Sequence, residues 1–184
     1  MRIVAGRLGG RILASPTDRA IRPTSDRLRE TLFNILLHAY GDPVTGARVL
    51  DLFAGTGALG LEAISRGVAF TLFVDDGVAA RGLMRANVET LGLGGATRIF
   101  RRDATRLGPV HPLKPFSLAF ADPPYHQGLG ERALASARDG GWLAPGAIVV
   151  VEEGIGRLTP PEGFEEIERR GYDDTELVFL KTPR

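Results

Sequence analysis

Asp122-Pro123-Pro124-Tyr125 closes the apolar run Phe116-Ser117-Leu118-Ala119-Phe120-Ala121. The run reads as a buried strand, which puts the tetrapeptide in a loop at a strand's carboxyl end, where open α/β sheets place their chemistry. Two consecutive prolines fix the backbone and remove two N–H donors, so the carbonyls of Asp122 and Pro123 are left to accept hydrogen bonds from a ligand. Asp122, Pro123 and Pro124 thus form a rigid set of acceptors beside the flat face of Tyr125. Such a set is well suited to holding the exocyclic amino group of a nucleobase stacked on the ring. That nitrogen is a poor nucleophile, because its lone pair is delocalised into the base. Acceptors for its N–H bonds draw it toward a tetrahedral shape and aim the lone pair at an electrophile. The plainer reading is a strand followed by a Pro-Pro turn, and a second motif is needed to displace it.

That motif lies upstream. Val49-Leu50-Asp51-Leu52-Phe53 reads as a short strand, Ala54-Gly55-Thr56-Gly57-Ala58-Leu59-Gly60 as a glycine-rich turn, and Leu61, Ala63 and Ile64 as a helix ending at Arg66-Gly67. Strand, glycine turn and helix make the first unit of a Rossmann-like sheet, with glycines where the backbone turns tightly beside a ligand. The next strand, Phe70 to Val74, ends in Asp75, whose carboxylate can accept both hydroxyls of a ribose. Asp51 ahead of the glycines, and the lack of full G-x-G-x-x-G spacing, point away from a dinucleotide pyrophosphate.

These two motifs resemble motifs I and IV of S-adenosylmethionine-dependent amino-methyltransferases. The rest of the chain narrows the resemblance: Met1 to Arg7, Arg22 to Leu36, Asp51 to Arg66, and Gly171-Tyr172 followed by Glu176-Leu177 are similar to the RsmD family of 16S ribosomal RNA guanine-N2 methyltransferases. The match runs in order along essentially the whole chain. Asp75 stands where the family usually has Glu, and Gly154 to Pro161 match loosely. The resemblance implies methyl transfer from S-adenosyl-L-methionine to the N2 amine of a guanine in 16S ribosomal RNA, within a small-subunit particle, by a cytoplasmic monomer. It implies that Asp51, Phe53, Gly55, Thr56 and Gly57 form the cofactor loop, with Gly55 and Gly57 near the methionine end. It assigns Asp75 to the ribose and Asp103, after the third strand, to the adenine amine. By its position alone Asp103 is equally a helix cap.

The elements needed to position these groups form an α/β fold: a Rossmann-like class I methyltransferase sheet of seven strands, the last antiparallel, with a small N-terminal β-hairpin and helix. Residues 1–46 are expected to be a basic arm that contacts RNA, and residues 47–184 the methyltransferase domain. A hairpin is predicted over Arg2–Leu13 about Gly9-Gly10, then a helix from Ser25 to Ala39 with the apolar stripe Leu28, Leu32, Ile35, Leu36 and Ala39. Strands are predicted at 48–53, 69–74, 97–100, 116–121, 147–152, 165–170 and 176–181, and helices at 58–66, 77–91 and 129–138.

At 184 residues and 43% hydrophobic content the chain suits a single well-cored unit. No apolar stretch approaches the roughly 20 residues of a membrane span. The absence of Cys excludes disulfides and thiolate chemistry. The net charge of +1 hides an asymmetry: residues 1–30 carry seven Arg against three acids, and residues 145–184 nine acids against five bases. Arg7, Arg11, Arg22 and Arg27 are therefore candidate RNA contacts, as are Arg2 and Arg29. Arginines merely solvated at the surface are the alternative. His38, His111 and His126 lack metal-ligand spacing, so no metal is expected, and only His126 adjoins the tetrapeptide. Asn34 suits cofactor, RNA or solvent alike, and Trp142 reads as a packing residue. The rival functions are an amino-methyltransferase for adenine or cytosine, a nicotinamide oxidoreductase, and a non-catalytic RNA-binding module.

Overall fold

Ser25 starts the first helix, α1 (Asp26–Ala39), its hydroxyl accepting the Leu28 N–H at 3.1 Å. Leu32, Phe33, Ile35 and Leu36 form the buried face of α1. Phe33 meets Phe120 edge-on at 5.6 Å, and Tyr40, just past the helix, stacks on Phe179 at 5.0 Å. These contacts lay α1 across one face of the sheet. The computed structural model describes residues 1–17 and 24–184.

The sheet contains β1 (Arg48–Leu52), β2 (Phe70–Val74), β3 (Thr97–Phe100), β4 (Phe116–Ala121), β5 (Leu143–Gly154), β6 (Glu165–Tyr172) and β7 (Thr175–Lys181). Their order is β3-β2-β1-β4-β5-β7-β6. The first five run parallel, as expected for near-continuous apolar runs covered on both faces, and β7 runs antiparallel between β5 and β6. Helices α2 (Ala58–Ser65), α3 (Val78–Thr90) and α4 (Leu129–Asp139) complete the crossovers. The class I methyltransferase sheet expected from the sequence is present. Strand β5 begins at Leu143 rather than 147, because Leu143 pairs with Phe116 ahead of a register shift that absorbs Pro145-Gly146.

Strand order reverses between β1 and β4, where Leu52 lies in register with Ala121. This is the topological switch point, and both motifs leave the sheet there. Asp122 N–H reaches Leu52 O at 3.4 Å and Ala54 N–H reaches Val74 O at 3.1 Å, which seats the two loops side by side.

The N-terminal hairpin pairs through one bridge, Arg2 with Ile12. Other backbone donors of this segment go to α2: Val4 and Ala5 N–H to the buried Glu62 carboxylate at 2.9 and 3.1 Å, and Leu8 N–H to Ser65 Oγ at 3.0 Å. A Cβ on Gly6 would stand 2.0 Å from Ser65 O, so only glycine allows this approach. Among the described residues no helix is long and apolar enough to cross a membrane.

Candidate active site

The carboxyl ends of β1, β2 and β4 open on a cleft of about 540 Å³. Its lining joins Asp51, Phe53, Gly55 and Thr56 from the glycine loop, Asp75 after β2, the start of α3, and the whole of Asp122–Tyr125. A smaller cleft of about 230 Å³ continues from Phe53 and Asp75 to Asp103, Thr105 and Arg132. The expected cofactor and target groups therefore share one continuous edge.

Each acid has a distinct local role. Asp51 is buried, and its Oδ2 accepts Gly60 N–H at 3.0 Å, fixing the first turn of α2 beneath the loop. Burial pushes its carboxyl well above the ordinary 3.8; the Gly60 bond opposes the shift and the charge of Asp75 adds to it. Asp75 is half-buried and accepts Gly55 N–H at 2.9 Å and Gly77 N–H at 2.8 Å, so it braces the glycine loop against α3. Asp103 accepts from Thr105 N and Oγ1 at 2.9 and 2.7 Å, which lowers its pKa, and it also lines the smaller cleft. The cap and the cleft-lining position thus coincide in one residue.

The glycine loop turns through left-handed backbone at Phe53 (φ 54°), Gly55 (φ 60°) and Gly57 (φ 80°). The sequence suggests that Gly57 leaves room for a ligand. A Cβ there would instead press Met84 Cγ at 3.2 Å and Phe73 at 3.4 Å, so glycine is required by backbone conformation and by packing beneath the loop.

The tetrapeptide is anchored more firmly than two prolines require. Asp122 Oδ2 accepts the Thr24 hydroxyl at 3.1 Å, and Thr24 also lies 3.3 Å from Glu152 Oε2. The Tyr125 hydroxyl lies 2.8 Å from Glu152 Oε1 and 2.6 Å from Thr175 Oγ1. Burial raises the Tyr125 pKa; the Thr175 bond opposes this and the Glu152 charge adds to it, so the phenol stays protonated. Pro123 is buried and Pro124 exposed. His126 adopts φ 64° and its N–H reaches Glu153 Oε1 at 3.3 Å; its ring stands edge-on to Tyr125 at 6.0 Å, outside the cleft lining. Sequence reasoning does not single out Thr24, Glu152 or Thr175. The available signal is Glu152-Glu153, two acids ending an otherwise apolar strand.

The basic segment divides. Arg29 is fully buried, holding Thr24 O at 2.9 Å, Arg2 O, and Asp26 at 2.7 Å. This corrects the expectation that it grips RNA: it is a strut that fixes the backbone beside Thr24. Arg7 and Arg11 are exposed near the C-terminal ends of α2 and α3, Arg7 through its backbone on Ser65 and Arg11 through Nη2 on Thr90 O at 3.3 Å. Arg27 is exposed and lines a separate cavity at the start of α1, not the cleft, and Arg22 lies outside the described residues. Asn34 is exposed and lines none of these cavities. Trp142 is buried, stacked on Phe116 and bonded to Gly108 O at 2.7 Å, as a packing residue. Among the described residues no group of three or more His, Cys, Asp or Glu could hold a metal.

Comparison with known proteins agrees with this geometry. Residues 1–181 match the family model described as Conserved hypothetical protein 95. The chain is 39% identical over 155 residues to ribosomal RNA small subunit methyltransferase D of Escherichia coli K12, covering 84% of this chain and 75% of that protein. It is 34% identical over 173 residues to the Haemophilus influenzae protein of the same name, covering 92% and 88%. The solved structure of yhhF from Escherichia coli is 33% identical with a TM-score of 0.83, covering 100% of this chain and 98% of that one. A match over nearly the full length, in sequence and in structure, places both motifs in one known setting: the chain belongs to the RsmD methyltransferase family.

Proposed function

We propose that this protein transfers a methyl group from S-adenosyl-L-methionine to the exocyclic N2 amine of a guanine in 16S ribosomal RNA, in the cytoplasm and within a small-subunit particle. The main support is the single 540 Å³ cleft whose wall contains both the Gly55–Asp75 bracket and Asp122–Tyr125. Fold likeness alone would not suffice, because this sheet hosts many chemistries. The relatives' names, ribosomal RNA small subunit methyltransferase D, supply the substrate class.

The cleft suits the cofactor. Phe53, Gly55 and Thr56 line a tight turn with left-handed backbone at Phe53 and Gly55, Asp75 presents a carboxylate to ribose hydroxyls, and Asp103 stands at the far cleft for the adenine amine. When bound, S-adenosylmethionine supplies an electrophilic methyl on a cationic sulfur. The protein's own residues do the positioning. Asp122 and the Pro123 carbonyl accept the two N–H bonds of the target amine, and the Tyr125 ring supports the base from one side. Arg7, Arg11, Arg22 and Arg27 are assigned to phosphates of the RNA.

The test is transfer of labelled methyl from S-adenosylmethionine to small-subunit ribosomal RNA, followed by digestion to nucleosides. Label in N2-methylguanosine is the expected outcome. Calorimetry showing preference for NAD over S-adenosylmethionine would reject the reading outright.

A further inference from the structure

A second cavity, of about 450 Å³, lies on the other side of the catalytic loop, between the start of α1 and the turn joining β6 to β7. Its size falls within the roughly 300–1,000 Å³ of small-molecule sites. Ser25, Arg27, Thr31, Tyr172 and Thr175 line it, with Glu152 at its inner wall. Only one layer of side chains separates it from the cofactor cleft: Thr24 faces the cleft, and Glu152 and Thr175 hold the hydroxyl of Tyr125, which also faces the cleft.

We propose that Glu152, in the side-chain layer between this cavity and the cofactor cleft, identifies the target base as guanine by accepting its ring N1–H. The proposal rests on the amino-methyltransfer reading above and adds the base-reading residue to it.

Glu152 is 7% exposed, and among the described residues it takes part in no ion pair. A carboxylate has about four acceptor positions. The Tyr125 hydroxyl on Oε1 accounts for one of them, and the Thr24 hydroxyl, shared with Asp122, lies 3.3 Å from Oε2. A buried carboxylate held only by neutral donors gains from a further one. The Thr24 hydroxyl bridges Asp122 and Glu152 at 3.1 and 3.3 Å, so the two carboxylates stand one hydroxyl apart, close enough to meet neighbouring atoms of one base.

Guanine alone among the amino-bearing bases presents an amine next to a ring N–H on its pairing edge. In adenine and cytosine the amine neighbours an unprotonated ring nitrogen, whose lone pair would face the Glu152 carboxylate. With the amine on Asp122, guanine gains a charged hydrogen bond at the neighbouring atom, and the other two bases meet repulsion. Asp-Pro-Pro-Tyr cannot make this distinction, since it holds only the amine.

The probe is 2-aminopurine, which keeps the 2-amino group but has an unprotonated N1. A synthetic RNA spanning the methylated position, located by nucleoside mass spectrometry, carries either guanine or 2-aminopurine there. Wild-type protein should methylate guanine roughly tenfold to a hundredfold faster in kcat/KM, the factor expected for one hydrogen bond to a charged group. Glu152→Gln offers an amide N–H to the bare nitrogen, so it should slow guanine, speed 2-aminopurine, and shrink the ratio at least tenfold. A residue that merely braced Tyr125 would slow both substrates equally. An unchanged ratio in the variant overturns the assignment, and a wild-type ratio near one overturns it whether or not the variant folds. Methyl found on adenine or cytosine overturns the amino-methyltransfer reading for guanine and this proposal with it, whereas N2-methylguanosine with an unchanged ratio overturns Glu152 alone.

Discussion

The Thr24 hydroxyl lies 3.1 Å from Asp122 Oδ2, joining the residue ahead of α1 to the acid at the end of β4, 98 positions later in the chain. The N-terminal segment is thereby part of the chemistry's support. Thr24→Val removes the hydroxyl and keeps the shape. A hydrogen bond to a charged group is worth about 1.5–3 kcal/mol, so without it kcat should fall roughly tenfold or more. S-adenosylmethionine affinity, measured by calorimetry, should stay within a few fold. Normal turnover in this variant would show that Asp122 is oriented without Thr24.

Tyr125→Phe looks mild from sequence, because the stacking ring survives. The hydroxyl, however, is bonded to both Glu152 and Thr175. Its removal leaves a buried carboxylate one donor short, at a cost of about 1–3 kcal/mol. A lowered denaturant midpoint with unchanged slope is expected, together with reduced turnover. Unaltered stability would show that water replaces the hydroxyl.

The arginines should separate into two classes. Arg29→Met leaves the carbonyls of Thr24 and Arg2 without their buried donor, and should cost about 1–3 kcal/mol of stability for each. Replacing Arg7, Arg11 and Arg27 together by Gln should leave stability and cofactor affinity unchanged. The salt dependence of RNA binding should become shallower by about 0.7–0.9 in the log–log slope for each phosphate no longer neutralised. An unaltered slope would return these three to the solvated surface.

Asp51 yields a pH prediction. Its folded pKa is raised above 3.8, so the folded state binds the proton more tightly than the unfolded state does. Stability from this group is fully present below the ordinary carboxylate value, and falls as pH rises from there toward the folded pKa. Asp51→Asn keeps an acceptor for Gly60 N–H and removes the titration. Denaturant melts of both proteins from acid to neutral pH should show wild type losing stability relative to the variant as pH rises. A constant difference would place the Asp51 pKa at its ordinary value.

Strands β1 to β4 and all four helices are legible in the sequence within one or two residues, because the period and length of their apolar runs are set locally. The start of β5 is hidden by Pro145-Gly146, which reads as a turn unless the pairing of Leu143 with Phe116 is known. Asp51, Asp75, Asp103 and Asp122 are readable as candidate site residues because each lies at or just beyond the end of a strand, and all four line the clefts. Thr24 and Glu152 are not, since their meaning arises from contacts 98 and 128 positions away along the chain. Arg29 misleads for the same reason: charge in a sequence says nothing of burial until α1 is placed on the sheet.

Whether Asp122 presents a guanine amine to the cofactor cleft is decided by a single comparison. Small-subunit ribosomal RNA is incubated with S-adenosylmethionine and either wild-type protein or Asp122→Ala, then digested and resolved by mass spectrometry. N2-methylguanosine is expected with the wild type and none with the variant, whose calorimetric affinity for S-adenosylmethionine stays within a few fold. N6-methyladenosine or N4-methylcytidine as the product, or near-normal N2-methylguanosine from Asp122→Ala, would contradict this role.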